Sequence, residues 1–118
     1  MKNQPFTKRL GFALAGLASA LKGERSLRLQ VAAAVAVLLT LGWLHAAPRW
    51  WAAALLAIGG VLAAELVNTA LEQLADQLHP DEHPAIKRVK DLAAAAVLIA
   101  SFCALGVAGA FLWELASR

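Results

Sequence analysis

From Leu92 to Trp113 the chain runs for 22 residues without a charged side chain. Wound as an α-helix, that stretch is about 33 Å long, enough to cross the hydrocarbon core of a bilayer. A water-soluble domain of this size has no interior large enough to hide it. Two further apolar runs come before it. Leu29 to Leu44 gives 16 uncharged residues, about 24 Å, short for a span but feasible with snorkelling flanks. His45-Ala46-Ala47-Pro48-Arg49 reads as a loop, with Pro48 as the breaker. Trp50 to Ala64 adds 15 uncharged residues, and helical patterning continues through Leu74 although Glu65 falls inside it. The pattern predicts spans over about 29–44, 50–74 and 92–113.

Composition narrows the possibilities further. The chain is 60% hydrophobic and 16% charged, where a soluble domain has roughly 45–50% and about 25%. Disorder is excluded. A total of 118 residues leaves no room for a two-lobed kinase, a Rossmann domain with a substrate domain, or a TIM barrel. A lone cysteine, Cys103, excludes a disulfide framework and a Cys-rich zinc site. A cleaved leader is not expected, because the first long apolar run begins only near residue 29.

Orientation follows from the basic residues, since cytoplasmic loops are enriched in them. Lys2, Lys8, Arg9, Lys22, Arg25 and Arg28 precede the first span, and Lys87, Arg88 and Lys90 lie between the second and third. Only Arg49 and Arg118 fall at the other ends. The N-terminus and the second loop are therefore expected in the cytoplasm, with the C-terminus outside. Trp43, Trp50, Trp51 and Trp113 all fall at the expected outer interface, where amphipathic rings anchor. Residues 5–23 are too polar to span. Phe6, Leu10, Ala13, Leu14, Leu17 and Leu21 are spaced for one helical face with Lys8 and Lys22 roughly opposite, the pattern of an amphipathic helix lying on the membrane.

The second span carries an exception to its own apolarity. Glu65, Asn68, Glu72 and Asp76 follow one another at spacings of 3, 4 and 4. At about 100° per residue they share a stripe about 80° wide, which Thr69 borders. An acid within a span costs about 2.5–3.5 kcal/mol on insertion scales, so it usually faces protein and marks a functional path. Stacked carboxylates repel, and a divalent cation, a basic partner or shared protons relieve that. Plainer roles exist for each residue. Asp76 and Glu72 fit a solvated helix end, and Asn68 fits a helix–helix hydrogen bond. Glu65 fits a pairing with Lys90 or with another subunit. Lys90 fits an inside-facing charge, and Asp91 a helix N-terminal acid. Antiparallel spans joined by a short loop nevertheless bring Lys90 and Asp91 to the depth of the acidic stripe, and Glu24 lies at that level too. Acids for a divalent metal with a lysine for phosphate make a phosphoryl-transfer set. The same acids would serve a small cation-coupled transporter subunit, and a structural membrane protein is a third class.

The block Ala64-Glu65-Leu66-Val67-Asn68-Thr69-Ala70-Leu71-Glu72, then Asp76, then Lys90-Asp91-Leu92-Ala93-Ala94-Ala95-Ala96-Val97-Leu98 resembles the signature of the prokaryotic diacylglycerol kinase family. That family includes the undecaprenol kinases. With Gly11, Gly16 and Glu24 the resemblance runs without a gap over about residues 11–100. It implies a single integral-membrane lipid kinase domain over residues 1–118, folded as an all-α homotrimeric bundle with one surface helix and three transmembrane helices per chain. It implies a bacterial inner-membrane location, ATP and Mg²⁺ as cofactors, and a lipid alcohol drawn from the bilayer. Nucleic acid is not an expected partner. Carried over position by position, Glu65 would be the general base on the lipid hydroxyl. Glu24 and Glu72 would hold the metal. Asn68, Lys90 and Asp91 would line the phosphates, with Asp76 and His83 near the nucleotide. Diacylglycerol is the implied acceptor. Undecaprenol is the alternative, because Glu24-Arg25-Ser26-Leu27-Arg28 and His83-Pro84-Ala85-Ile86-Lys87 look like that branch, and Gln30 stands where the Gram-negative diacylglycerol branch usually carries an acid.

Overall fold

The computed structural model describes residues 2–118, and every regular element among them is helical. Helix α1 covers Phe6–Gly23, α2 Arg25–Trp43, α3 Pro48–Leu78 and α4 Pro84–Ala116. Helices α2, α3 and α4 are each long and apolar enough to cross a membrane. The 31 residues of α3 and 33 of α4 measure about 46 and 50 Å, against a hydrocarbon core of about 30 Å. Both helices therefore continue past their apolar stretches. The polar side chains sit on that excess, Glu72 and Asp76 late in α3, Lys87, Lys90 and Asp91 early in α4.

Each helix end has a physical cause. A single extended residue, Glu24 (φ −115°, ψ 110°), separates α1 from α2. The last carbonyls of a helix have no partner within it. Here Arg28 Nη1 donates to the carbonyls of Leu21 (2.8 Å) and Lys22 (2.9 Å), so one guanidinium closes α1 and fixes its angle to α2. At the far end of α2 the Ala46 N–H donates to the Leu41 carbonyl (3.0 Å) and the His45 N–H to that of Gly42 (3.2 Å). This is a Schellman stop. It holds His45 at φ 51°, a left-handed conformation in which glycine is unstrained. Pro48 and Pro84 open α3 and α4 in the first turn, where a missing N–H leaves no bond unmade. His83 caps α4, its Nδ1 accepting from the Ala85 N–H at 3.1 Å.

Helices α3 and α4 form a closely packed antiparallel hairpin, α2 leans on α3, and α1 touches α2. Three of the five buried apolar residues are alanines, Ala54 and Ala75 on α3 and Ala93 on α4. Small side chains let helix backbones approach where no hydrophobic force drives them together. Leu27 and Leu41 are the buried anchors of α2. Large apolar side chains such as Leu56, Ile99, Phe102 and Leu105 point outward, as a lipid environment allows. At the end bearing the tryptophans, Glu114 of α4 accepts from the Trp50 indole N–H (2.5 Å) and from the Arg49 guanidinium. Trp50 also meets Phe111 edge to face, ring centres 5.3 Å apart. This clasp ties the start of α3 to the end of α4.

Candidate active site

Glu65 is the one buried charged side chain among the described residues, 7% exposed. It faces α2. The Ser26 hydroxyl donates to Glu65 Oε1 at 2.6 Å, and the Gln30 amide donates to Oε2 at 3.4 Å. Ser26 and Gln30 are one helical turn apart, so α2 presents both to the same carboxylate. A buried carboxylate without donors would be costly, and these two supply them. Glu65 thus has no bond to Lys90. Within the chain its partners are neutral, so a pairing with Lys90 is not the reason for an acid at this depth.

One turn further along α3, Asn68 Nδ2 donates to Glu72 Oε1 at 3.4 Å. Asn68 Oδ1 is enclosed and has no partner. Next, Lys90 Nζ donates to Asp76 Oδ1 at 2.5 Å, an ion pair that joins α4 to α3. Lys87 pairs with Asp91 at 2.6 Å along α4. Both lysines lie in the charged first turns of α4, ahead of the apolar run that begins at Leu92. The Asp76 carboxylate, through its hydrogen bond first, holds Lys90 above the usual lysine range. Asp91 does the same for Lys87.

Two clefts flank this row. One, of about 530 Å³, is bounded by residues 79–84 with Ile86, Lys87 and Lys90. The other, of about 470 Å³, lies between α1 and α3, with Glu24 on its wall beside Leu66, Thr69 and Gln73. Among the described residues no three His, Cys, Asp or Glu side chains converge to hold a metal by themselves. His83, expected beside the nucleotide, uses its Nδ1 to cap α4, and its ring lies 5.1 Å from that of His79. Glu65, Asn68, Glu72 and Asp76 share one side of α3, with Lys90 reaching Asp76 from α4, while Asp91 is engaged by Lys87 and Glu24 stands across α3 on the α1 side.

Sequence reasoning missed Ser26. A hydroxyl in the first turn of a span, four residues before a glutamine, was the available signal. It also missed Glu114, whose partners lie 64 and 65 positions away.

The sequence pattern of prokaryotic diacylglycerol kinases matches residues 11–112. The chain belongs to that family. This lipid kinase is similar to the undecaprenol kinase of Bacillus subtilis (strain 168), 35% identical over 94 residues, 80% of this chain and 76% of that protein. It is 33% identical to the diacylglycerol kinase of Pseudomonas aeruginosa over 104 residues, 84% of each chain. A diacylglycerol kinase of Synechocystis is 36% identical over 104 residues, 86% of this chain and 58% of the relative. The kinase is a membrane protein that uses ATP.

Proposed function

We propose that this kinase moves the γ-phosphoryl group of ATP to the hydroxyl of diacylglycerol, making phosphatidic acid at the inner face of the bacterial cytoplasmic membrane. The observation that carries the reading is Glu65, a buried carboxylate with no cationic partner, held by Ser26. A lipid alcohol has a pKa far above 7 and needs a base beside the phosphate. Glu65 takes that proton. Lys90, on the wall of the cleft beside the 79–84 loop, and Asp76 bonded to it receive the nucleotide, with Asn68 and Asp91 toward the phosphates and His83 at the loop. Glu24 and Glu72 would hold magnesium, Glu72 from the row on α3 and Glu24 from the α1 side, the two converging on one ion in the assembled protein rather than within a single chain. Their hard oxygens fit it, and the unpartnered Asn68 Oδ1 beside Glu72 fits as a further oxygen donor. A divalent ion held by these residues would supply positive charge to offset that of the transferring phosphoryl group. The whole chain acts as one domain and assembles as a homotrimer, with the N-terminus cytoplasmic and α1 on the membrane surface.

Undecaprenol is the second acceptor reading, favoured by the similarity to the Bacillus subtilis enzyme. Purified protein in lipid with labelled MgATP, offered diacylglycerol and undecaprenol in parallel, separates the two. In the same assay Glu65→Gln is expected to assemble normally and lose about 10²–10⁴ of the rate. Glutamine still accepts the Ser26 hydrogen bond but cannot take a proton. Near wild-type turnover would refute the base assignment.

A further inference from the structure

We propose that Ser26 is the positioning residue of the Glu65 base, with Gln30 as its weaker second hold. The inference rests on Glu65 acting as the base. Glu65 reaches its site on a flexible side chain. Nothing on α3 itself, and no cation from α4, holds its carboxylate. Among the described residues, the only side chains that do so come from α2. Ser26 donates at 2.6 Å, the short distance of a hydroxyl bonded to an ionised oxygen, whereas the Gln30 contact is 3.4 Å. The Gln30 amide is itself loosely held, since its Oε1 is enclosed without a donor. The two bonds therefore rank clearly, with Ser26 setting the orientation and Gln30 trimming it.

The arrangement leaves the base usable. An ionised carboxylate offers about four acceptor positions. Ser26 and Gln30 occupy one on each oxygen, and the others remain for the incoming hydroxyl. Ser26 does not touch the substrate. It acts through Glu65, by keeping one oxygen in the same place from one turnover to the next. A misplacement of about 1 Å at a reacting group can cost about 10²-fold in rate. Two turn-spaced side chains on a different helix are a direct way to prevent it. The hold also couples the base to α2, and through the Arg28 bonds to the α1 joint.

The test uses the full-length enzyme in mixed micelles, with MgATP and either diacylglycerol or undecaprenol as acceptor. Ser26→Ala is expected to lower kcat about 10–100-fold with KM for MgATP unchanged and only a small drop in melting temperature, since Gln30 still donates to the buried carboxylate. Ser26→Thr, which keeps the hydroxyl, recovers most of the rate. Gln30→Leu, which removes the amide and its orphaned oxygen, loses less than Ser26→Ala. In a Glu65→Gln background Ser26→Ala costs nothing more. Wild-type kcat in Ser26→Ala beside an inactive Glu65→Gln would overturn this inference alone. So would a loss of rate and melting temperature together that threonine does not restore. An active Glu65→Gln would overturn the base reading, and this one with it.

Discussion

Asn68 Oδ1 and Gln30 Oε1 are enclosed polar atoms without a hydrogen-bond partner, and each belongs to an amide bonded to a glutamate of the acidic row. An unsatisfied buried group costs stability, and a side chain that offers no polar atom avoids the cost. Asn68→Leu is therefore expected to hold or raise the melting temperature. It should also raise the magnesium requirement about tenfold or more, the scale seen when a supporting ligand contact is lost. Calorimetry and a metal titration of the rate, run on one sample, check the pair of effects. Lys90 illustrates the electrostatics. Its pKa is raised by Asp76, so the pair's contribution is complete below the unfolded lysine value of about 10.4 and fades as pH climbs through the higher folded value. Loss of ATP binding from Lys90 deprotonation is thus expected only above about pH 10. A binding isotherm that weakens between about pH 7 and 9, well below lysine's ordinary value, would argue for a different titrating group.

The close approach of α3 and α4 is what brings Asp76 to Lys90, and Ala75 and Ala93 are buried at that end of the helices. Ala75→Leu should cost about 1–3 kcal/mol through overpacking and lower affinity for ATP more than for the lipid. Chemical unfolding and separate KM measurements test this. The spans were legible because charge is absent from them and Pro48 interrupts them. The polar stripe was legible because its spacing is helical. What escaped was everything that depends on how one helix sits against another. Arg28 reads as one more basic residue before a span, yet it closes α1. His83 reads as a nucleotide neighbour, and its capping of α4 is not visible in the sequence. Lys90 and Asp76 were expected at one depth, but their direct pairing depends on the helix approach. Helix ends also outrun the apolar runs, because glutamate, lysine, arginine and glutamine are good helix formers and carry the helices on once the chain has left the lipid.

At the scale of the molecule, the tryptophans and the Glu114 clasp occupy one end and the acidic row lies toward the other. The polar row is thus confined to one end of the bundle, where the proposed reaction between a water-soluble nucleotide and a bilayer alcohol would need it. Ser117→Cys, at the clasp end, is expected to react with an impermeant thiol reagent added outside intact cells, in a background where Cys103 is replaced. Labelling from the inside alone would invert the topology. The joint between α1 and α2 carries one more implication. It consists of Glu24 alone, braced by Arg28. A longer linker would absorb rotation of α1, but one residue cannot. Any tilt of α1 against α2 therefore has to be taken up at Glu24 and at the Arg28 bonds. The pivot between the two helices is thus itself an acid on the wall of the cleft between α1 and α3.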